Sequence, residues 1–297
     1  MSLLTMMIRR SFKKNDDKRD AGLKTPADVR RYDGICYDED RKWNVLDVYR
    51  PKDSNEILPV IVSVHGGGWV YGDKERYQYY CMSLVKHGFA VVNFTYRLAP
   101  EHKYPASLED TSKVFSWVLE HSEEYGFDRN NVFAVGDSAG AQLLGQFCNL
   151  CTNEEFRKQM GIEVPEGFVP KAVALNCGAY DSQSRKKNDL GSKLMKDVLP
   201  KGGTPEELRS MNVFEHLTSS FPPAFVMTAE GDFLVTQAMP LVERLQAKGV
   251  KAEYHYYGDP EHVLGHVFHC NMKLEEARRC NADECAFFRR YLEPREA

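Results

Sequence analysis

The chain contains no apolar run near the roughly 20 residues that a bilayer-spanning helix needs; its longest apolar stretches are strand-length. It also lacks a basic excess. The 39 Lys and Arg stand against 43 Asp and Glu, the net charge is −4, and no basic stripe follows a helix face, so nothing marks a nucleic-acid partner. Low-complexity segments and internal repeats are missing. No secretory leader is evident: Met1 to Ile8 is apolar but short, and Arg9 and Arg10 follow the apolar run instead of preceding it. The eight cysteines (Cys36, Cys81, Cys148, Cys151, Cys177, Cys270, Cys280, Cys285) are scattered through apolar segments. The one Cys-x-x-Cys, at 148 and 151, closes a helical pattern, whereas a redox pair belongs at a helix start, where the dipole lowers the thiolate pKa. Reduced core cysteines in a cytoplasmic protein are therefore expected, without stable membrane insertion or nucleic acid.

What is present is an ordinary globular composition, 42% hydrophobic and 28% charged, over 297 residues. That suffices for one large core. Apolar β-branched runs at 59–64, 89–94, 132–135, 172–176 and 224–228 alternate with helical patterns at 77–87, 108–124, 139–150, 238–248 and 274–291. The alternation predicts an α/β architecture around a mostly parallel sheet. Residues 32–37 and 43–49 read as antiparallel edge strands and 251–257 as the last strand. Two stretches break the rhythm, residues 1 to about 30 and about 182–220. Both read as cap segments over a site within a single domain spanning 1–297, because insertions at strand C-termini often carry function.

The strand pattern ending at Val135 runs into Gly136-Asp137-Ser138-Ala139-Gly140, and a helical pattern follows at once. Gly-x-Ser-x-Gly at a strand-to-helix turn is a nucleophile elbow, in which a tight backbone pushes one serine hydroxyl out over the sheet. The two glycines are required because a side chain there meets a neighbouring strand or helix.

A serine nucleophile needs a base, an orienting acid and oxyanion donors. In this order of elements the acid follows the serine and the histidine comes last. Asp232, in Thr-Ala-Glu-Gly-Asp after the strand at 224–228, is favoured, since Gly231 allows a sharp turn that aims its carboxylate. Asp181, closing the previous strand, and Glu230 are rivals whose ordinary role would be a turn or cap. Among His255, His262, His266 and His269, His266 is favoured over His262, because Gly265 lets its backbone pass close to the nucleophile. A metal reading of His262, His266, His269 and Cys270 is set aside: Pro260 and Gly265 break the helix that an i, i+4 ligand pair would use. Neither a metal nor a cofactor is expected. The oxyanion donors are expected from His65-Gly66-Gly67-Gly68-Trp69, directly after a strand, with Gly67 and Gly68 joined by the N–H of Ala139. No Walker Lys-Ser/Thr follows those glycines, which argues against a phosphate loop.

These pieces, together with Tyr96-Arg97-Leu98-Ala99-Pro100-Glu101-His102-Lys103-Tyr104-Pro105-Ala106, resemble the hormone-sensitive-lipase-like esterases of the α/β-hydrolase superfamily. The resemblance implies an eight-stranded, mostly parallel sheet flanked by helices. It also implies a small cap built from the N-terminus and an insertion after the sixth strand. By the same analogy Arg97, Glu101 and Asp110 brace the loop behind the site, and Asp137 supports it from behind. The chain departs from the family at His266-Val267-Phe268, where His-Gly-Phe is usual, and in its short N-terminal cap.

The reading that results is a serine carboxylesterase acting on short-chain acyl esters of small molecules, acetylated or aromatic-acyl ones among them, through an acyl-enzyme. Trp69, Tyr71 and Tyr180 are candidates to line its pocket. Two alternatives are carried: a serine peptidase of the prolyl-oligopeptidase type, which lacks room here for a propeller domain, and a non-catalytic ligand-binding protein on the same scaffold. A homodimer is left open.

Overall fold

The structure, a computed structural model, describes residues 1–184 and 190–294. Eight strands form one sheet: β1 (Val29–Cys36), β2 (Val45–Pro51), β3 (Leu58–Val64), β4 (Ala90–Thr95), β5 (Phe127–Asp137), β6 (Val173–Asn176), β7 (Ala224–Ala229) and β8 (Ala252–Tyr257). Their spatial order is β1-β2-β4-β3-β5-β6-β7-β8. The β1–β2 and β2–β4 pairs are antiparallel and every other pair is parallel. The eight-stranded, mostly parallel sheet implied by the resemblance is therefore present.

Burial on both faces explains why the central strands read as continuous apolar runs instead of alternating ones. Successive residues of β3 still divide between two cores: Val60, Val62 and Val64 enter one and Ile61 the other. The first core lies against α3 (Ala106–Glu120), α5 (Ala139–Thr152) and α9 (Ala238–Ala247), where Phe115 and Phe147 stack with ring centres 4.1 Å apart. The second lies against α2 (Lys74–Val85) and α10 (Glu275–Arg289), through Tyr77, Tyr80, Phe287 and Phe288.

Some expected boundaries are corrected. The helical pattern at 108–124 is two helices, α3 and a short α4 (Ser122–Tyr125) that stops at Gly126, whose φ of 63° ends it in the left-handed conformation. Cys36 is exposed and Cys151 half-buried, so only the other six cysteines are core residues; all eight are free.

The two irregular stretches meet over the C-terminal ends of the strands. Residues 3 to 20 form α1 (Leu3–Asp20), while the later stretch contains α7 (Leu190–Val198) and α8 (Pro205–Met211); between them in sequence lies α6 (Glu154–Met160). Helix α1 is capped by Ser2, and both the Ser2 and Thr5 hydroxyls donate to Asp197 of α7. Arg9 pins α1 to the loops after β3 and β4: its Nε donates to the Val70 carbonyl at 2.7 Å and its Nη2 to the Ala99 carbonyl at 3.0 Å. No helix among the described residues is long and apolar enough to cross a membrane.

Candidate active site

The elbow turns where β5 ends. Ser138 has φ 53° and ψ −117°, a strained conformation for a residue with a side chain. The flanking glycines make it sterically feasible. A Cβ on Gly140 would lie 2.0 Å from the Val64 carbonyl oxygen, and one on Gly136 would lie 2.7 Å from the Gly140 oxygen. Helix α5 begins at Ala139, so its first N–H groups have no intrahelical acceptor and its positive dipole end faces the serine.

His266 and Asp232 arrive from loops after β8 and β7. His266 Nε2 lies 3.0 Å from Ser138 Oγ, and His266 Nδ1 lies 2.6 Å from Asp232 Oδ1. The two loops are locked by a parallel bridge between Gly231 and Gly265 and by the Gly231 N–H to the Leu264 carbonyl at 2.9 Å. Asp232 also accepts from the Thr228 hydroxyl at 2.7 Å and the Leu234 N–H at 2.9 Å. Burial opposes its ionisation, but the hydrogen bond and charge of His266, with these two donors, outweigh it and hold the carboxyl below the usual carboxylate range. Because ionised Asp232 only accepts, the Nδ1 proton of His266 faces it. The lone pair of Nε2 is then left facing the serine hydroxyl.

The rival residues lie elsewhere. His262 is 61% exposed and pairs with Glu276 at 2.8 Å. His255 sits within β8, stacked on Phe225 with ring centres 3.8 Å apart. Asp181 accepts from the Gln183 and Ser184 N–H groups and from the Asn212 amide, a turn-forming role. Glu230 accepts from the Tyr256 hydroxyl. The four residues weighed as metal ligands do not converge on one point: His269 and Cys270 lie with Asp137 behind the site, their ligand atoms within 4.8 Å of one another, while His266 meets Asp232 and His262 faces solvent. Burial pushes the His269 imidazole down to about 3 and raises the Cys270 thiol, so both are neutral there.

The glycine loop follows β3. Gly67 and Gly68 have φ of 114° and 62°, and no described residue accepts from either N–H. A Cβ on Gly67 would lie 2.0 Å from the Tyr71 carbonyl oxygen. These backbone donors are partly exposed beside the partly exposed Ser138. The arrangement can therefore take a proton from a serine hydroxyl and present free N–H groups to a developing oxyanion.

The aromatic residues expected to line a pocket are placed differently. Tyr180 is 0% exposed and donates its hydroxyl to the Leu175 carbonyl at 2.9 Å, so it has no surface for a ligand. Trp69 is buried too, its indole N–H held by Gln142 at 2.9 Å. Tyr71 faces the outer side of the loop. Its hydroxyl donates to Asp16 of α1, and its ring lines a cleft of about 470 Å³ with Arg9, Trp43 and Leu98. An aromatic that the sequence reading does not single out lies against His266: Phe233 is 72% exposed and its ring centre lies 4.1 Å from that of His266. Its position, next to Asp232, was the only available signal.

Arg97 pairs with Asp110 at 2.8 Å and Glu109 at 2.8 Å, as a brace behind the loop should. Glu101 is corrected: it pairs with Arg9 at 2.6 Å, tying down α1 instead. Val267, at the family's glycine position, has φ 53° and ψ 33°. The backbone takes the conformation that glycine favours even though the residue is valine.

A family model described as "alpha/beta hydrolase fold" matches residues 61–266. Esterase LipC of Mycobacterium tuberculosis is 30% identical over 226 residues, covering 72% of this chain and 54% of its own length. The matched region thus spans about half of that relative. The 3-O-acetylpapaveroxine carboxylesterase of Papaver somniferum is 30% identical over 271 residues, covering 77% of this chain and 80% of its own. Among solved structures, Esterase B of Lactobacillus rhamnosis superimposes with a TM-score of 0.86 at 22% identity, covering 98% of this chain and 97% of its own. That last likeness bears on the fold alone.

Proposed function

The chain belongs to the α/β-hydrolase fold family, in its hormone-sensitive-lipase-like branch, and from that premise we propose that it is a serine carboxylesterase. The observation that carries the reading is the unbroken hydrogen-bonded chain Asp232–His266–Ser138, at 2.6 and 3.0 Å, next to the free N–H groups of the glycine loop.

In the proposed reaction, Ser138 Oγ attacks the ester carbonyl carbon as His266 Nε2 takes its proton. Asp232 stabilises the imidazolium that forms and stays ionised. The carbonyl oxygen becomes an oxyanion held by the N–H groups of Gly67, Gly68 and Ala139, where each donor contributes about 3–4 kcal/mol of transition-state stabilisation. The tetrahedral intermediate collapses, and His266 gives the proton to the departing alkoxide. Water, deprotonated by the same nitrogen, then releases the acid from the acyl-enzyme. No step requires a cofactor.

Short acyl groups, acetyl first, are the proposed substrates. Leu194 of α7 supports this by closing over the loop, its Cδ2 3.4 Å from where a Cβ of Gly68 would lie. The relative from Papaver somniferum, named for an acetyl ester, points the same way. In this reading α1 and the 182–220 segment are the cap, and 1–297 is one hydrolase domain. Eight free cysteines support a reducing, cytoplasmic setting.

The test is turnover of p-nitrophenyl acetate, butyrate and octanoate beside an amide substrate. Wild type should be fastest on acetate and butyrate. Ser138→Ala and His266→Ala should each lower kcat by about 10⁴-fold or more, while His262→Ala should stay near wild type. Equal rates for wild type and Ser138→Ala would remove the enzyme reading; preference for the amide would favour a peptidase.

A further inference from the structure

Pairing between β3 and β5 ends at Val64 and Gly136. Beyond that point the two segments that carry the chemistry, the glycine loop and the elbow, are no longer joined by ladder bonds. Their relative position nevertheless decides whether the oxyanion donors face the carbon that Ser138 attacks. A displacement of about 1 Å in such a site can cost on the order of 100-fold in rate.

One hydroxyl spans this gap. Tyr77, on α2, accepts from the Gly66 N–H at 2.9 Å and donates to Asp137 Oδ2 at 2.7 Å. Gly66 immediately precedes the donors Gly67 and Gly68, and Asp137 immediately precedes Ser138. The three groups are buried and closely fitted: a Cβ on Gly66 would lie 2.6 Å from Asp137 Oδ2 and 3.0 Å from the Tyr77 oxygen. We propose that Tyr77 is a positioning residue, whose hydroxyl ties the oxyanion loop to the nucleophile elbow through Asp137 and so holds the donors in register with Ser138. The inference rests on the esterase reading above for its consequence in rate, but the tie itself can be read without turnover.

The same helix supplies a matched control. Tyr80, one turn along α2, donates to the buried carboxylate of Glu284 at 2.9 Å; it makes no bond to the loop and reaches the elbow only at one remove, through Glu284 and Asn176. Tyr77→Phe and Tyr80→Phe thus remove equivalent buried hydroxyls, and a purely structural role would give them the same effect. The proposal expects Tyr77→Phe alone to lower kcat for p-nitrophenyl acetate by about 10- to 100-fold, with KM within about twofold, because the missing tie acts on the transition state. A boronic acid that forms a tetrahedral adduct on Ser138 should lose affinity by a similar factor. Amide hydrogen exchange over residues 65–69 should quicken in Tyr77→Phe and not in Tyr80→Phe.

A folded Tyr77→Phe with wild-type kcat and exchange, or parallel losses in both variants, overturns the proposal. If Tyr77→Phe does not fold, the test passes to the acceptor. Asp137→Asn keeps a side-chain oxygen for the Tyr77 hydroxyl and should retain kcat within about threefold, whereas Asp137→Ala should lose about tenfold at unchanged KM. Equal kcat in those two variants also overturns it. Should the wild type hydrolyse no ester, the esterase reading fails, and the exchange comparison still decides the tie.

Discussion

Beneath Ser138 the protein is held by contacts that leave no slack. The elbow glycines lie against backbone carbonyls, Tyr77 ties loop to elbow, and Asn176 accepts the Ser138 N–H on its carbonyl at 2.9 Å while its own amide donates to the buried Glu284 at 2.7 Å. Above Ser138, α1 and α7 are held by half-exposed side chains that meet backbone carbonyls, hydroxyls or another charge, such as Arg9, Asp16 and Asp197. In the proposed reaction the floor is what holds nucleophile and donors in register for the transition state. Under the same proposal the roof has only to exclude water and admit a substrate, and interactions of this kind can be made and broken.

The contrast is tested most severely in the floor. Gly140→Ala places a Cβ 2.0 Å from the Val64 oxygen and 2.5 Å from the His65 oxygen, the last carbonyl of β3 and the first of the oxyanion loop. Neither can move without shifting the point at which that loop leaves the sheet. The expected loss is at or beyond the upper end of the roughly 1–3 kcal/mol typical of overpacking, and kcat should fall more than about 100-fold. Urea unfolding and turnover of p-nitrophenyl acetate check both. A near-normal Gly140→Ala would mean that the floor is as compliant as the roof.

A second probe of the floor reads pH. Burial raises the Glu284 carboxyl from 4.5 to about 7, although hydrogen bonds from Asn176 and Tyr80 lower it in part. Folded protein thus holds this proton more tightly than unfolded chain. Stability then falls as pH rises from about 4.5 to about 7, and a shift of this size amounts to on the order of 3 kcal/mol. Glu284→Gln stays neutral and keeps the packing, since the Tyr80 hydroxyl can turn to accept from the amide. The variant should match wild type near pH 4.5 and exceed it by about 2–3 kcal/mol at pH 8. Some slope will remain, because burial also raises Asp137 to about 6. Denaturant titrations at the two pH values give the comparison, and an unchanged difference between them would show that Glu284 is not protonated in the fold.

The floor was legible in the sequence because its requirements fall on residue types at fixed spacing. Close backbone approach forces Gly66, Gly67, Gly136 and Gly140, a left-handed φ of 62° favours glycine at 68, and Gly231 and Gly265 pair across the two loops that bring Asp232 to His266. The order of strands and helices followed from apolar runs that the buried sheet imposes. Tyr77 escaped notice because an aromatic on a helix facing the sheet reads as core, and only the position of its hydroxyl makes it more. The pocket aromatics were misread for the same reason: type alone did not distinguish Tyr180, sealed in the core, from Phe233, exposed over His266. In the roof α7 has an apolar face, with Leu194, Met195 and Val198 buried, but the polar contacts that hold the roof follow no period. Arg9, Glu101 and Asp197 act through partners some 90 or 190 residues away, as with the 92-residue separation of Arg9 and Glu101 and the 192-residue separation of Thr5 and Asp197, and no local pattern encodes such contacts.

The smallest expected effect therefore belongs to the roof, and Arg9 is the place to look for it. Its guanidinium holds the Val70 and Ala99 carbonyls and pairs with Glu101, with side chains 26% and 40% exposed. A pair this open to water contributes about 0–1 kcal/mol and is screened by salt, while the two carbonyls can find water once the arginine is gone. Arg9→Ala should thus lower stability by only about 1 kcal/mol. Arg9→Lys should recover little of it, because a single ammonium cannot span two carbonyls and a carboxylate at once. The functional signature should also differ from that of the floor. With α1 loosened over the loop, KM should rise a few-fold and kcat should hardly move, since the donors at Gly67 and Gly68 are fixed from below by Tyr77. Raising the ionic strength should bring wild type toward the variant. A kcat loss in Arg9→Ala as large as in Tyr77→Phe would show that the roof sets the oxyanion geometry as well, and the division between the two regions would fall.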